Sequence, residues 1–128
     1  MKTIIIVLLC LLSLESVAQD TTKVKLKEYL GVLTLTEKYR DEKKWGTAEQ
    51  AIVGDHFQRL VKFKTEGVIV LAGRTNYETA NPEMMGLVIF YAKDDATALE
   101  FMLNDPAVKN KIMNAKVHPY GIAVHKCE

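Results

Sequence analysis

The order in which two hydrophobic periodicities follow one another is the feature that most constrains what this chain can fold into. In a β-strand every second side chain shares a face, whereas on a helix the residues three and four apart do so. Alternation predicts strands over 28–36, 68–73, 85–92 and 115–126, and helical spacing predicts helices over 47–66, 96–103 and, as a short segment, 107–113. The predicted order is therefore strand, helix, strand, strand, helix, strand.

This order predicts an α+β fold of the ferredoxin-like βαββαβ type, in which an antiparallel sheet carries both long helices on one face. The second sheet face would then be left uncovered. The apolar residues of the two predicted central strands include Leu33, Leu35, Val88 and Phe90. Because neighbours in a strand point to opposite sides, we expect these residues to divide between the two faces. We therefore expect a homodimer packed through the sheets.

Local signals mark the ends of the predicted helices. Thr47 and Gln50 have the spacing of a capping box, and Gly67 is suited to the left-handed backbone that ends a helix. Either Asp94 or Asp95 is expected to cap the second helix. The predicted apolar stripe of that helix comprises Ala98, Leu99, Met102 and Leu103.

The first eighteen residues have the pattern of a secretory signal peptide. Lys2 precedes an apolar run over 4–12, which is too short for a permanent membrane anchor. Ser16 and Ala18 then place small residues three and one before a cut. We expect cleavage after Ala18 and export to the periplasm or the extracellular space. The alternative is a buried N-terminal strand or helix.

The remaining length fits one domain, with residues 19–27 predicted as a flexible polar lead and residues 28–126 as the folded part. The chain has 17 Lys and Arg against 16 Asp and Glu, a formal net charge of +1. This balance argues against nucleic acid or a membrane surface as a partner. Cys127 is the only thiol left after cleavage, so it either pairs between chains or stays free.

His56 and Asp105 are the two main candidates for residues that transfer protons in a reaction. His56 lies at helical spacing between Ile52 and Leu60, on or beside the buried face. Imidazole titrates near neutral pH and suits general acid or base chemistry, although a histidine on an apolar face is more often a core residue. Asp105 and Pro106 have the pattern of an N-cap followed by a first helical residue. One carboxylate oxygen can cap the turn while the other accepts a hydrogen bond from His56.

Three further residues are candidates for contacting a small-molecule ligand. Arg74 and Tyr77 follow the second strand, and Arg59 lies three residues after His56. Each has an ordinary alternative as a solvated loop or helix residue. His56 and His118 are not part of any spacing typical of a zinc site, so we expect no metal and no cofactor.

Two long stretches resemble the YciI-like, or YCII-related, proteins: DHFQRLVKFKTEGVIVLAG over 55–73 and FYAKDDATALEFMLNDPAVKNKIMNAKVHPYGIAV over 90–124. The most specific parts are the histidine of the first helix, the Ala-Gly pair after the second strand and the Asp-Pro pair after the second helix. The resemblance implies a dimeric α/β barrel with a His–Asp pair in a small pocket, here His56 and Asp105. One branch of these proteins is associated with dechlorination of a hydroxylated aromatic ring, and most have no assigned reaction.

The chain departs from the pattern of these proteins at three places. Many relatives carry a basic residue one helical turn before the histidine, where this chain has Val53. A frequent proline is replaced by Arg74, and a frequent aromatic residue after Asp-Pro is replaced by Ala107. These changes indicate either a different ligand or a pocket that holds anions more weakly, and Arg74 could restore a positive charge from another side.

The sequence therefore predicts an exported YciI-like protein that uses a His–Asp pair for general acid and base chemistry on a small molecule, of lyase or hydrolase type if it is an enzyme. The alternative is a dimeric module that binds a small ligand without turnover, or one that is only structural. The sequence leaves the choice between enzyme and binding module open.

Overall fold

The computed structural model describes residues 23–126. Its main elements are β1 (Lys27–Leu35), α1 (Thr47–Thr65), β2 (Ile69–Arg74), β3 (Met85–Ala92), α2 (Asp95–Leu103), α3 (Pro106–Lys109) and β4 (Met113–Pro119). Two 3-10 turns, Glu37–Arg40 and Glu42–Lys44, connect β1 to α1. The strands form one antiparallel sheet in the order β2-β3-β1-β4. The predicted ferredoxin-like α+β fold is confirmed.

The N-terminal predictions fall mostly outside the described part. The predicted signal peptide, residues 1–18, lies wholly outside it, and so do residues 19–22 of the predicted lead. Residues 23–26 have no regular secondary structure, and β1 begins at Lys27. Within residues 23–126, no helix is both long and apolar enough to cross a membrane.

The helix-facing side of the sheet carries the most deeply buried strand residues. Leu33, Leu35, Val88 and Phe90 are all buried on this side. The expectation that they divide between the two faces is wrong, because each strand contributes residues two apart and the register aligns Gly31 with Val88. The alternate residues on the other face are Leu30, Val32, Leu87 and Ile89, which are only partly buried.

The first helix is followed by Gly67, as the sequence predicted, but its N-cap lies one residue earlier than expected. The N-cap is Gly46 rather than Thr47, and its N–H donates to the Glu49 carboxylate at 3.1 Å. At the other end Gly67 has φ 76°, and its N–H donates to Lys64 O at 3.1 Å. The N–H of Val68 reaches back to Phe63 O at 2.9 Å, which completes a Schellman motif.

The second helix is capped by Asp94, whose carboxylate accepts the Thr97 N–H at 2.8 Å. Ala98 and Met102 are buried as predicted, but Leu99 and Leu103 are 44% and 47% exposed. The predicted stripe is wrong for these two leucines because the helix turns Phe101 toward the sheet instead. The Phe101 ring stacks on the Phe90 ring with centroids 4.7 Å apart.

The last strand is shorter than expected. β4 ends at Pro119, and residues 120–126 are not in a strand. Proline lacks the N–H that a ladder needs, so it is a natural place for a strand to end. The segment predicted as helical over 107–113 is reduced to the one-turn α3, after which Met113 already belongs to β4.

Gly31 lets α2 approach β1 closely. A Cβ at this position would lie 2.6 Å from Met102 Cε and 2.7 Å from Met102 Sδ, closer than such atoms can pack. Met102 is itself 2% exposed, so its side chain has little room to retreat.

Replacing Gly31 with alanine should therefore destabilise the fold by about 1–3 kcal/mol, the usual cost of overpacking a core. Gly54→Ala is the matched control, because a Cβ at this exposed position in α1 meets nothing within 4 Å. The control should stabilise the protein by about 0.5–1 kcal/mol through helix propensity. Urea denaturation of both variants measures the difference, and equal stabilities would contradict the close approach of α2.

Tyr29 connects the same two elements through its hydroxyl. The Tyr29 O–H donates to Asp95 Oδ1 at 2.7 Å. This hydrogen bond, together with burial and the negative charges of Asp95 and Asp94, raises the pKa of Tyr29 to about 12. Ionisation of the phenol would remove the donor and place two negative charges side by side.

The protonated phenol should therefore stabilise the fold fully below the ordinary tyrosine pKa of about 10. This contribution should disappear as pH rises through the raised pKa of Tyr29, about 12. An ultraviolet titration of phenolate, compared between wild type and Tyr29→Phe, isolates the residue. If the difference titration has its midpoint near the ordinary value, the Tyr29–Asp95 hydrogen bond does not form.

Candidate active site

His56 lies at the centre of α1, between two parts of the core. Leu60, on its C-terminal side, packs against the main cluster of sheet and α2 residues. Ile52 and Val53, on its N-terminal side, pack against a second cluster that contains Ala107. His56 is 9% exposed and is the one residue of α1 that counts as buried. The helix therefore holds the imidazole where the two clusters meet.

Asp105 lies in the turn between α2 and α3 and is 1% exposed. Its Oδ1 accepts the Ala107 N–H at 2.9 Å, so it caps α3, and Pro106 follows as the first helical residue. Its Oδ2 lies 2.7 Å from His56 Nδ1. The carboxylate thus uses one oxygen for the cap and the other for the imidazole, the coexistence that the sequence suggested.

Arg59 is the third member of this buried cluster. Its Nη1 lies 3.6 Å from Asp105 Oδ2, and its Nη2 donates to Phe101 O at 2.6 Å. The guanidinium also lies over two rings, 4.4 Å from the Phe101 centroid and 4.8 Å from that of Phe63. Burial lowers the pKa of Arg59 and the negative charge of Asp105 opposes that effect, but an arginine stays protonated in proteins.

These contacts determine which nitrogen of His56 is available for chemistry. With Arg59 supplying a permanent positive charge, Asp105 is compensated as a carboxylate and accepts a hydrogen bond from the Nδ1–H of a neutral imidazole. Nε2 is then left with a lone pair. Nε2 has no hydrogen-bond partner within residues 23–126, whereas every buried polar side-chain atom in that range has one. Nε2 is therefore not among the buried atoms and is reached by solvent.

His56 faces a cleft of about 660 Å³ between α1 and the edge strand β2. This volume is typical of small-molecule sites, which range over ~300–1,000 Å³. The walls are mostly apolar and include Leu33, Val53, Phe57, Leu60, Val61 and Leu71. Phe57 is 60% exposed and Val61 45% exposed, so the cleft opens to solvent along α1.

The candidate residues have different positions relative to this cleft. His56 and Arg74 line it, and Asp105 lies behind the imidazole. Arg59 does not line it, because its guanidinium is held between Asp105 and the Phe101 carbonyl. Tyr77 is 42% exposed in the loop after β2 and is not among the lining residues.

Lys64 also lines the cleft, although sequence reasoning did not select it. A lysine in the last turn of a helix is ordinary, since it interacts favourably with the helix dipole. The only available signal was its spacing of eight residues from His56, which places both residues on a similar side of α1.

The structure separates the two histidines that could have formed a metal site. His118 is opposite Leu30 in the strand register, on the sheet face that points away from α1. In the part of the chain from residue 23 to residue 126, no group of three or more His, Cys, Asp or Glu side chains is arranged to hold a metal ion.

Comparison with known proteins places this geometry in a family. A family model described as the YCII-related domain matches residues 20–119. The match covers every element that builds the cleft and the His56–Asp105 pair. No curated protein matches the chain.

The hydrogen bond from His56 to Asp105 predicts a defined tautomer. In the wild-type protein, neutral His56 should carry its proton on Nδ1. In Asp105→Asn the population of this tautomer should fall, because an amide side chain can either donate a hydrogen bond to the ring or accept one from it. Long-range ¹H–¹⁵N NMR correlations distinguish the two tautomers. His118 is the internal control and should not change. A wild-type His56 with its proton on Nε2 would contradict the geometry.

Proposed function

Since this chain belongs to the YCII-related domain family, we propose that it is a small-molecule enzyme in which His56 acts as general base and acid. The observation that carries this proposal is the 2.7 Å contact between His56 Nδ1 and the buried Asp105 carboxylate. It engages Nδ1 and leaves the opposite nitrogen, Nε2, as the atom through which this cleft-lining ring would exchange protons with a ligand. A carboxylate in this position also stabilises the imidazolium that forms when Nε2 takes a proton.

The reaction class that suits this site is proton abstraction from a carbon next to an electron-withdrawing group. Nε2 takes the proton, and the electron pair left on that carbon either expels a leaving group or is protonated elsewhere by the same imidazolium. The first outcome is an elimination of lyase type, and the second is an isomerisation. A positioned acid–base residue of this kind accelerates a reaction by roughly 10²–10⁴-fold.

The apolar cleft supports this chemistry by limiting the water around His56. Leu60, Val53 and Leu33 form its inner walls, and each is partly or fully buried. A low-polarity environment strengthens the interaction between the imidazolium and Asp105 at the moment of proton transfer.

Two broader parts of the proposal concern the assembly and the location of the protein. We propose a homodimer packed through the second sheet face, which the apolar residues Leu30, Val32, Leu87 and Ile89 support. We also propose export, which the charge, apolar and small-residue order of residues 1–18 supports.

Proton abstraction can be tested without knowing the natural substrate. Wild-type protein is incubated in D₂O with a panel of activated carbon acids, including β-keto acids, enones and hydroxylated aromatic compounds. NMR then follows the replacement of carbon-bound hydrogen by deuterium. At least one compound should exchange, and His56→Gln should lower its exchange rate by about 10²-fold or more.

His125→Gln is the matched control, because His125 follows β4, is exposed and does not line the cleft, and it should keep the wild-type rate. Asp105→Asn should fall between wild type and His56→Gln, since the base is present but poorly oriented. Exchange that survives in His56→Gln would remove His56 from the chemistry. If compounds bind in the cleft and none exchanges, the protein is a ligand-binding module rather than an enzyme.

A further inference from the structure

We infer that the cleft selects molecules with an apolar body and one anionic group, such as a carboxylate, and that Arg74 holds the anionic group. This inference rests on the proposed function of the cleft as a small-molecule site and specifies the chemical class of its ligand.

The charges along the cleft all have one sign. The lining residues include two basic side chains, Lys64 and Arg74, together with His56. Among residues 23–126, no aspartate or glutamate lines the cleft. The acid that contacts the His56 ring is Asp105, which is buried behind the ring and compensated by Arg59. With neutral His56 that inner cluster has no net charge, so the cations of the cleft stay unbalanced.

The two cations lie at different ends of the cleft. Lys64 is in the last turn of α1, eight residues and therefore ~12 Å along the helix axis from His56. After the turn at Gly67, β2 runs back beside α1, and Arg74 is its last residue. At ~3.3 Å per residue, Arg74 is ~16 Å from the start of β2. Arg74 therefore lies at the His56 end of the cleft.

Arg74 is free to take a ligand anion, whereas Arg59 is not. Within residues 23–126, Arg74 forms no ion pair and donates no side-chain hydrogen bond, and its side chain is exposed. Arg59 is held by Asp105 and the Phe101 carbonyl. A planar guanidinium matches a carboxylate with two parallel hydrogen bonds, which a lysine ammonium cannot do.

An anion at this end also suits the proposed chemistry. A carboxylate bound to Arg74 would place the carbon atoms near it beside His56 Nε2. The positive charge of Arg74 would then stabilise negative charge that spreads from the reacting carbon onto the carboxylate as the proton leaves. The apolar walls formed by Val53, Phe57 and Leu60 would hold the body of the molecule.

A pair of matched probes tests the inference. 2-Naphthoate and 2-naphthamide have the same ring system and nearly the same shape, and only the first is charged. Titration of each into wild-type protein, followed by NMR of the His56 ring and the Leu60, Val53 and Leu71 methyl groups, gives the site and the affinity. Naphthoate should bind about tenfold or more tightly than naphthamide.

Two variants then show which positive charge is responsible for the preference for naphthoate. Arg74→Gln should reduce the preference for naphthoate to less than about twofold while leaving naphthamide binding unchanged. Lys64→Gln removes the same charge at the other end of the cleft and should keep most of the preference. Equal affinity of the two probes, binding outside the cleft, binding of neither probe, or a preference that survives Arg74→Gln would each overturn the inference.

The outcome is separable from that of the proposed function. Deuterium exchange that depends on His56, combined with equal affinity of the two probes, would overturn the ligand class and leave the acid–base role intact. Anion selectivity that depends on Arg74, without exchange of any compound, would retain the ligand class and remove the enzymatic role.

Discussion

One buried carboxylate, that of Asp105, joins three parts of the molecule. Moving an ion from water into a protein interior costs several kcal/mol unless its oxygens are hydrogen-bonded and its charge is compensated. Here the Ala107 N–H, His56 and Arg59 share that task. The Ala107 N–H belongs to α3, and His56 and Arg59 belong to α1. The contacts that compensate the buried charge of Asp105 therefore also hold α1 against the turn between α2 and α3.

The presence of Arg59 distinguishes this cluster from a simple His–Asp pair. If His56 were the only cation available, loss of its proton would leave Asp105 as an uncompensated buried charge. With Arg59 3.6 Å from the same oxygen, the carboxylate stays compensated when the imidazole is neutral. His56 can then gain and lose a proton without the cluster losing its ionic partner, as a group that acts as both base and acid requires.

The sequence predicted the elements better than their contacts, for identifiable reasons. Hydrophobic periodicity and the Gly67 stop are local, and both were confirmed. Strand register is not local, and the expectation that Leu33, Leu35, Val88 and Phe90 divide between the two faces was wrong. Asp105 could be proposed because Asp-Pro is a visible cap signal. The role of Arg59 depends on where α1 crosses the α2–α3 turn, which no spacing along the chain reveals.

The cleft itself follows from a small residue in β2. Ala72 lines it and is in register with Val88, on the sheet face that the helices cover. A larger side chain there could pack against Phe57 and Val61 and fill the space, as happens in ordinary helix–sheet contacts. Instead these two α1 residues stay exposed, which gives up burial that would have stabilised the fold. Ala72 thus leaves room for a ligand next to His56, and Arg74, two residues later in β2, brings a positive charge to the same end.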